Sequence, residues 1–177
     1  MRKLSFAWLA LIALMVSSGC GYALAGRGSF LPDYIQIVGV PSFLNKTTAF
    51  EIERVLTDRV RTEFGNRGKF RIQPDINNVD AILTGTIVGV SFGNTAYTSG
   101  SQAARVQLIV TASFEFKDVR ENKVLWTSPS LRFSEEFSPT TATGTDPSAF
   151  LGGNANALER LAQNFARSLV TAILEAF

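Results

Sequence analysis

The sequence predicts an α+β fold, a two-layer sandwich in which two amphipathic helices pack on one face of a mixed, mostly antiparallel sheet of four to five strands. Residues 104–118 alternate between apolar and polar side chains, the pattern of an antiparallel strand with one face in water. Residues 48–65 and 156–177 instead repeat apolar side chains at helical spacing. Because both helices need an apolar surface to cover, we expect them to share the apolar face of the sheet.

The first half of the domain is predicted to hold a strand and then a helix. Residues 34–40, YIQIVGV, form the strand. Thr48 and Glu51 have the spacing of a capping box, and Gly65 is a natural end for the helix that follows. The apolar stripe of this helix consists of Ile52, Val55, Leu56, Val60 and Phe64.

The second half is predicted to hold most of the sheet. A short strand at 69–73 precedes residues 80–92, whose β-branched side chains and two glycines indicate a bent or bulged strand. The alternating segment 104–118 follows. The turn VRENK then leads through VLWTS to a last strand at 131–137, after Pro129. With the final helix, the predicted order is β-α-β-β-β-β-α.

The chain ends in a strongly amphipathic segment. Asn156 and Glu159 are spaced to cap a helix, and small alanines permit close docking on a sheet. Its helical period is not that of a transmembrane β-strand. Residues 138–153, which precede it, form a predicted loop rich in Thr, Ser, Gly and Pro, long enough to be functional. The apolar face comprises Leu158, Leu161, Phe165, Leu169, Ile173 and Phe177.

Composition excludes several kinds of chemistry. The chain contains no histidine, which removes Ser-His-Asp and Cys-His catalysis and histidine zinc sites. Glu135 and Glu136 are adjacent in a predicted strand, so they point to opposite faces and cannot share a substrate. We therefore expect no enzyme activity, no metal and no cofactor. A lipid-tethered enzyme that uses carboxylates is the remaining catalytic alternative.

The N-terminus predicts a membrane anchor. Arg2 and Lys3 precede an apolar run at 4–16, which has the length of a signal-peptide core and is shorter than the roughly 20 residues that span a bilayer. Small residues then lead to Cys20, the only cysteine. This arrangement resembles the lipobox of bacterial lipoproteins, in which the thiol receives a diacylglycerol and becomes the mature N-terminus. An ordinary secretory peptide cut nearby is the alternative.

Three regions follow from this interpretation: a signal peptide at 1–19, a lipidated glycine-rich tether at 20–32 and one α+β domain at 33–177. By the same resemblance, Gly21 in place of an Asp favours the outer membrane. The signal holds two of the 17 basic residues and none of the 15 acidic ones, so the mature chain has no formal net charge. Nothing in this balance favours nucleic acid as a partner.

Motifs along the mature chain resemble those of the lipopolysaccharide-assembly lipoproteins, the LptE-like family. The segments IERVLTDRVRTEF, VDAILTGTI, RVQLIVTASFEFKD and NKVLW follow the order of that family, and so does the closing helix. The first part of the resemblance rests on the lipobox, the tripeptide C-G-Y and a strand followed by P-x-F-x-N-x-T: Cys20, Gly21, Tyr22, Pro41, Phe43, Asn45 and Thr47.

The resemblance implies a non-enzymatic, lipid-anchored protein of the outer membrane, facing the periplasm or lying inside a barrel lumen. Its partner would be a large LptD-like β-barrel translocon, which it plugs during lipopolysaccharide assembly. The alternative is a free periplasm-facing lipoprotein that binds lipid or glycan without a barrel. Some members bind lipopolysaccharide, which requires cations for its phosphates. The candidate cations are Arg105, Lys117 and Arg132, and ordinary solvated side chains are the alternative interpretation.

Two other features are interpreted as structural. Asn45 and Thr47 are expected to turn the chain and cap the first helix, rather than bind a ligand, because their side chains mimic backbone hydrogen-bonding partners. Trp126, on a short apolar strand, is expected to belong to the core.

Overall fold

Most of the predicted domain is described by the computed structural model, which covers residues 31–67, 69–97, 103–137 and 155–176. Cys20, the signal peptide, the loop at 138–153 and Phe177 lie outside the described residues. Within those ranges the elements are β1 (Ile37–Gly39), β2 (Leu44–Asn45), α1 (Ile52–Asn66), β3 (Arg71–Gln73), β4 (Ala81–Tyr97), β5 (Ala103–Asp118), β6 (Lys123–Phe137) and α2 (Ala155–Leu174).

The strands form one mixed sheet with the order β3-β1-β4-β5-β6, and β2 pairs with β4 further along its length. The three long strands are antiparallel, whereas β1 runs parallel to both β3 and β4 and β2 runs parallel to β4. This confirms the predicted α+β fold with two helices and a mixed, mostly antiparallel sheet. The two-residue strand β2 had no counterpart in the sequence prediction.

The long strands have one buried face and one face towards solvent. On β5, the even-numbered residues from Val106 to Phe116 are buried, and the odd-numbered residues from Arg105 to Lys117 are exposed or half-buried. We call the first set and its register partners on β4 and β6 the helix face, because α1 and α2 complete its core. The second set and its partners form the open face. The predicted alternation of β5 is therefore confirmed.

Aromatic rings join the layers on the helix face. The Phe165 ring of α2 lies 4.5 Å from that of Phe133 and 5.7 Å from that of Phe114, centroid to centroid. Phe43 meets Phe114 edge-on at 5.4 Å. A Cβ at Gly85 would lie 2.5 Å from Phe114 and 2.8 Å from Phe43, so only glycine leaves room for both rings. This glycine of β4 is explained by packing rather than by a bend.

Asn45 builds the turn before α1. Its amide nitrogen donates to the Ala49 carbonyl and to the Glu53 carboxylate, both at 2.8 Å. Its amide oxygen accepts from the backbone N–H and the hydroxyl of Thr47, at 2.9 and 2.7 Å. The interpretation of Asn45 and Thr47 as turn residues is confirmed, but the expected cap is wrong, because no side chain caps α1.

Both predicted ends of α1 are wrong. The helix begins at Ile52 after Glu51, whose φ of 65° is left-handed, and no side chain caps the first turn. The expected capping box of Thr48 and Glu51 is absent because the chain enters the helix through this left-handed residue instead of an extended cap. At the other end, Gly65 lies inside the helix, and the C-cap is Arg67.

Strand β6 continues through Pro129, where the sequence predicted an interruption. Ser128 pairs with Phe114 and Leu131 pairs with Ala112, so β6 has one residue more than β5 between these pairs. The extra residue forms a bulge at Pro129. Proline is accepted here because β6 is an edge strand and needs no N–H donor on its free side.

Candidate functional site

Short hydroxyl side chains dominate the centre of the open face. Thr84 and Thr86 of β4, Ser113 of β5 and Thr127 of β6 line an open depression of about 240 Å³. Glu115 also lines this depression. This part of the surface is polar and nearly uncharged, so it offers many weak hydrogen-bonding groups rather than one strong charge.

The three candidate cations share the open face, but they lie far from one another. Arg105 and Lys117 are twelve residues apart on β5, which corresponds to about 40 Å along a strand. Arg132 pairs with Thr111, midway between them. One phosphate group therefore cannot contact all three side chains. That each of them binds lipopolysaccharide stays a prediction.

The surroundings of the three cations also differ. The side chain of Arg105 is 65% exposed, and its guanidinium lies 3.8 Å from the Glu136 carboxylate. Lys117 is half-buried between Ile82 and Val124 of the neighbouring strands. Arg132 is exposed. Across the ranges that the structure describes, Lys117 and Arg132 form no ion pair, so their charges are available to an anionic ligand.

A buried carboxylate marks one end of the sheet. Asp118, the last residue of β5, accepts a hydrogen bond from the Tyr34 hydroxyl and another from the Glu121 N–H at 3.0 Å. Burial by itself would raise the pKa of Asp118. The donors Tyr34, Glu121 and the backbone N–H of Arg120 outweigh burial, so the pKa lies below its ordinary value.

Tyr34 connects this end of the sheet to the segment that follows the predicted tether. Its hydrogen bond to Asp118, together with burial and the negative charge of Asp118, raises the pKa of Tyr34 to about 12. The Arg120 guanidinium lies 5.0 Å from the centroid of the Tyr34 ring, within cation–π range. No sequence signal identifies this cluster, because Tyr34 and Asp118 are 84 positions apart.

The two adjacent glutamates of β6 lie on opposite faces of the sheet. The Glu135 carboxylate faces α2, where it lies 3.5 Å from the Arg160 guanidinium and accepts from the Asn164 amide at 3.2 Å. The Glu136 carboxylate lies beside Arg105 on the open face. The prediction that these carboxylates point to opposite faces of the sheet is confirmed.

Three further observations concern the described residues only. Trp126 is half-buried and packs against the core, which confirms its structural interpretation. Among these residues, no group of three or more Cys, Asp or Glu side chains is placed to hold a metal ion. None of the helices within them is both long and apolar enough to cross a membrane.

Solved structures are similar to this chain, and the first of those described here shows the fold. The hypothetical protein CT253 from Chlamydia trachomatis aligns over 80% of this chain and 99% of its own, with a TM-score of 0.53 and 10% identity. A minor lipoprotein from Acinetobacter baumannii aligns over 82% of this chain and 95% of its own, with a TM-score of 0.49 and 13% identity. Rare lipoprotein B from Shewanella oneidensis aligns over 78% and 92%, with a TM-score of 0.40 and 16% identity.

At these identities the structural likeness concerns the fold alone. No curated protein sequence matches the chain. The family comparison is more informative, because the model of the LptE family, described as lipopolysaccharide-assembly, matches residues 35–173. That range runs from the start of the described domain almost to the end of α2 and confirms the resemblance drawn from the motifs. The chain belongs to the LptE family of lipopolysaccharide-assembly proteins.

Proposed function

We propose that this protein is a non-enzymatic outer-membrane lipoprotein, anchored through Cys20, that partners a large LptD-like β-barrel translocon and plugs its lumen during lipopolysaccharide assembly. The observation that carries the proposal is the family match over residues 35–173. The absence of histidine from the whole chain supports the non-enzymatic part, since the commonest acid–base side chain is missing.

The open face supports the plug role. Residues that line the lumen of a wide membrane barrel are polar, so a protein inside one needs a polar surface of mixed or neutral charge. Thr84, Thr86, Ser113 and Thr127 provide such a surface at the centre of the open face. A strongly charged face would instead have to find a matching charge for each of its groups in the barrel wall.

The anchor keeps the domain close to the membrane. Leu31 is the first residue that the structure describes, and it is buried in the core. The segment from Cys20 to Leu31 reaches roughly 40 Å when fully extended. A domain held at that distance or less can reach a partner in the same membrane. Its effective concentration at the barrel is then far higher than that of an untethered protein.

Lipopolysaccharide is the second ligand in this proposal. Because the candidate cations are spread along the sheet, we expect each of them to contact a different anionic group. Arg132 is the strongest of the three candidates, since it is exposed and lies between the other two at the middle of the open face. Arg105 is already paired with Glu136, so it has less free charge to offer.

Affinity purification of the tagged full-length protein from outer membranes in mild detergent tests the proposal. We expect a large β-barrel protein to co-elute in a one-to-one ratio, as identified and quantified by mass spectrometry. The matched control is Cys20→Ser, which removes the predicted lipid site and should reduce the barrel recovered from the membrane fraction. A lipoprotein that elutes alone would contradict the barrel partnership and leave a tethered lipid- or glycan-binding domain.

A further inference from the structure

The domain is joined to its predicted tether at one end of the sheet. β1, β3, β4 and β6 all begin at this end, and β5 finishes there. The hydrogen bond from the Tyr34 hydroxyl to Asp118 fixes the beginning of the described domain to this end. The Val119 N–H donates to the Asp80 carbonyl at 2.9 Å, which holds the turn between β5 and β6 against the start of β4. A lipid anchor at Cys20 would therefore pull on the domain here.

Cations are spread across this end. Four of them are exposed, and Lys117 is half-buried. Within the described residues, none of them lies at ion-pair distance from a carboxylate. They extend from β3 at one side of the sheet to β6 at the other, four strand spacings or roughly 20 Å. The anchor end, as we call it, comprises these cations and two valines: Lys69, Arg71, Lys117, Arg120, Lys123, Val119 and Val124.

The two valines of the anchor end are exposed among the cations. Val119 is 43% exposed in the turn, and Val124 is 44% exposed at the start of β6. The exposed carboxylates at this end belong to Asp33, Glu121 and Glu175, so the described cations outnumber them. Apolar side chains between cations suit the surface of a bilayer, where the apolar groups enter the headgroup layer and the cations meet phosphates.

We propose that the anchor end rests against anionic phospholipid headgroups of the membrane that holds the lipid anchor. The tether joins the domain here, so this end reaches the bilayer with the least extension of the segment from Cys20 to Leu31. The cations are too far apart for a single phosphate group, whereas a bilayer offers headgroups across the whole end. The inference rests on the proposed anchor but not on the barrel, and it leaves the centre of the open face to the barrel.

Acylation of lysines by a water-soluble reagent, quantified by mass spectrometry, tests the contact on the purified lipidated protein. The protein is reconstituted into phosphatidylcholine vesicles, with or without about one third phosphatidylglycerol. An amine beside anionic headgroups keeps its proton and is shielded from the reagent. We therefore expect Lys69 and Lys123 to react about fivefold more slowly on the anionic vesicles.

Lys46 is the internal control in the same protein. It is exposed, and its N–H pairs with the Ile87 carbonyl, about 20 Å along β4 from Ala81 at the anchor end. That distance is about two Debye lengths at 0.1 M salt, so the surface charge is screened there. We expect the acylation rate of Lys46 to change less than about twofold between the two kinds of vesicle.

A carboxylate at the anchor end provides an independent test. Val124→Asp replaces an exposed apolar side chain by a group that anionic headgroups repel. Val88→Asp is the matched variant, because Val88 is 48% exposed on the neighbouring part of the same sheet, beyond Ile87. With both variants folded by circular dichroism, we expect Val124→Asp to remove at least half of the slowing of Lys69 and Val88→Asp to leave it unchanged.

Every other result overturns the inference. Equal lysine rates on the two kinds of vesicle would mean that the anchor end makes no contact with anionic headgroups. Slowing of Lys46 to the same extent would mean that no particular end faces the bilayer. Slowing only on phosphatidylcholine vesicles that carry lipopolysaccharide would make lipopolysaccharide, not phospholipid, the occupant. If the purified protein carries no lipid at Cys20, the proposed anchor fails and this contact fails with it, while barrel recovery still tests the barrel partnership.

Discussion

The helix face and the open face of the sheet are built by alternate residues of the same strands, yet they serve different ends. Phe116 and Leu108 on the helix face are fully buried, whereas Thr111 and Ser113 between them are only half-buried. Burial of apolar area supplies most of the stability, so the fold depends on the helix face. The open face does not have to bury apolar side chains for stability. Its polar side chains can therefore contact a partner.

Among substitutions that compare the two faces, Phe165→Ala on the helix-face side is expected to lower the free energy of unfolding most. The ring fills the space between α2 and the sheet, where it contacts Phe114 and Phe133. We expect the free energy of unfolding to fall by about 3–5 kcal/mol, since both transfer and cavity contributions are lost. Chemical denaturation followed by circular dichroism measures it. A loss below 1 kcal/mol would mean that the helix layer contributes less than the comparison requires.

A second prediction concerns overpacking of the same face. Gly85→Ala would place a Cβ 2.5 Å from the Phe114 ring and should cost about 1–3 kcal/mol of unfolding free energy. Gly93→Ala on the same strand is the control, because no atom lies within 4 Å of its Cβ. The two midpoints of unfolding, measured side by side, should differ clearly. Equal midpoints would contradict the ring-packing explanation for Gly85.

The acid sensitivity of the protein should depend on Asp118. Folding lowers the pKa of this carboxylate, so near pH 4 the unfolded chain binds more protons than the folded one. This contribution to stability is complete above the ordinary pKa of about 3.9 and is lost as the pH falls through the lowered value. Asp118→Ala should remove that acid-side slope and cost about 1–3 kcal/mol at pH 7, because Tyr34 and two N–H groups lose their acceptor.

Unfolding free energies of Asp118→Ala measured from pH 3 to pH 7 check this prediction. Tyr34→Phe is the matched variant, since it removes one donor and keeps the carboxylate with its backbone partners. We expect it to retain part of the acid-side slope. An unchanged slope in Asp118→Ala would assign the acid sensitivity to other carboxylates.

The smallest effect is expected on the open face. Thr84 is exposed, and its hydroxyl has only a long hydrogen bond, of 3.4 Å, to the Glu115 carbonyl. Thr84→Ala should therefore change the free energy of unfolding by no more than about 0.5 kcal/mol. Thermal unfolding compared with the unsubstituted protein gives the answer. A loss comparable to that of Gly85→Ala would show that the open face also holds the fold together.

The sequence predicted those features that depend on residues close together in the chain, and it missed those that depend on residues far apart. The alternation of β5 and the helical stripes depend on residues a few positions apart, and both were predicted correctly. β2 was missed because two residues carry no periodic pattern, and its pairing with Thr86 and Ile87 depends on tertiary structure. The Tyr34–Asp118 contact was missed for the same reason. The bulge at Pro129 was interpreted as an interruption because sequence alone does not identify an edge strand.

The candidate site was predicted less completely than the fold. The sequence could place the three candidate cations, Arg105, Lys117 and Arg132, on strands, because the alternation of apolar and polar residues assigns side chains to faces. Their separation along the sheet required the register of β5 with β6. The positions at which β1 and β2 pair with β4 also required the topology of the whole sheet.

Recovery of the barrel by an open-face variant tests the central claim most directly. Thr84→Arg places a large cation at the centre of the open face, and Thr62→Arg places the same group on the exposed side of α1. If the open face is the partner surface, both variants stay folded, but only Thr84→Arg loses most of the co-purified barrel. Full barrel recovery with Thr84→Arg, at an unchanged midpoint of unfolding, would contradict the claim that this face meets the partner.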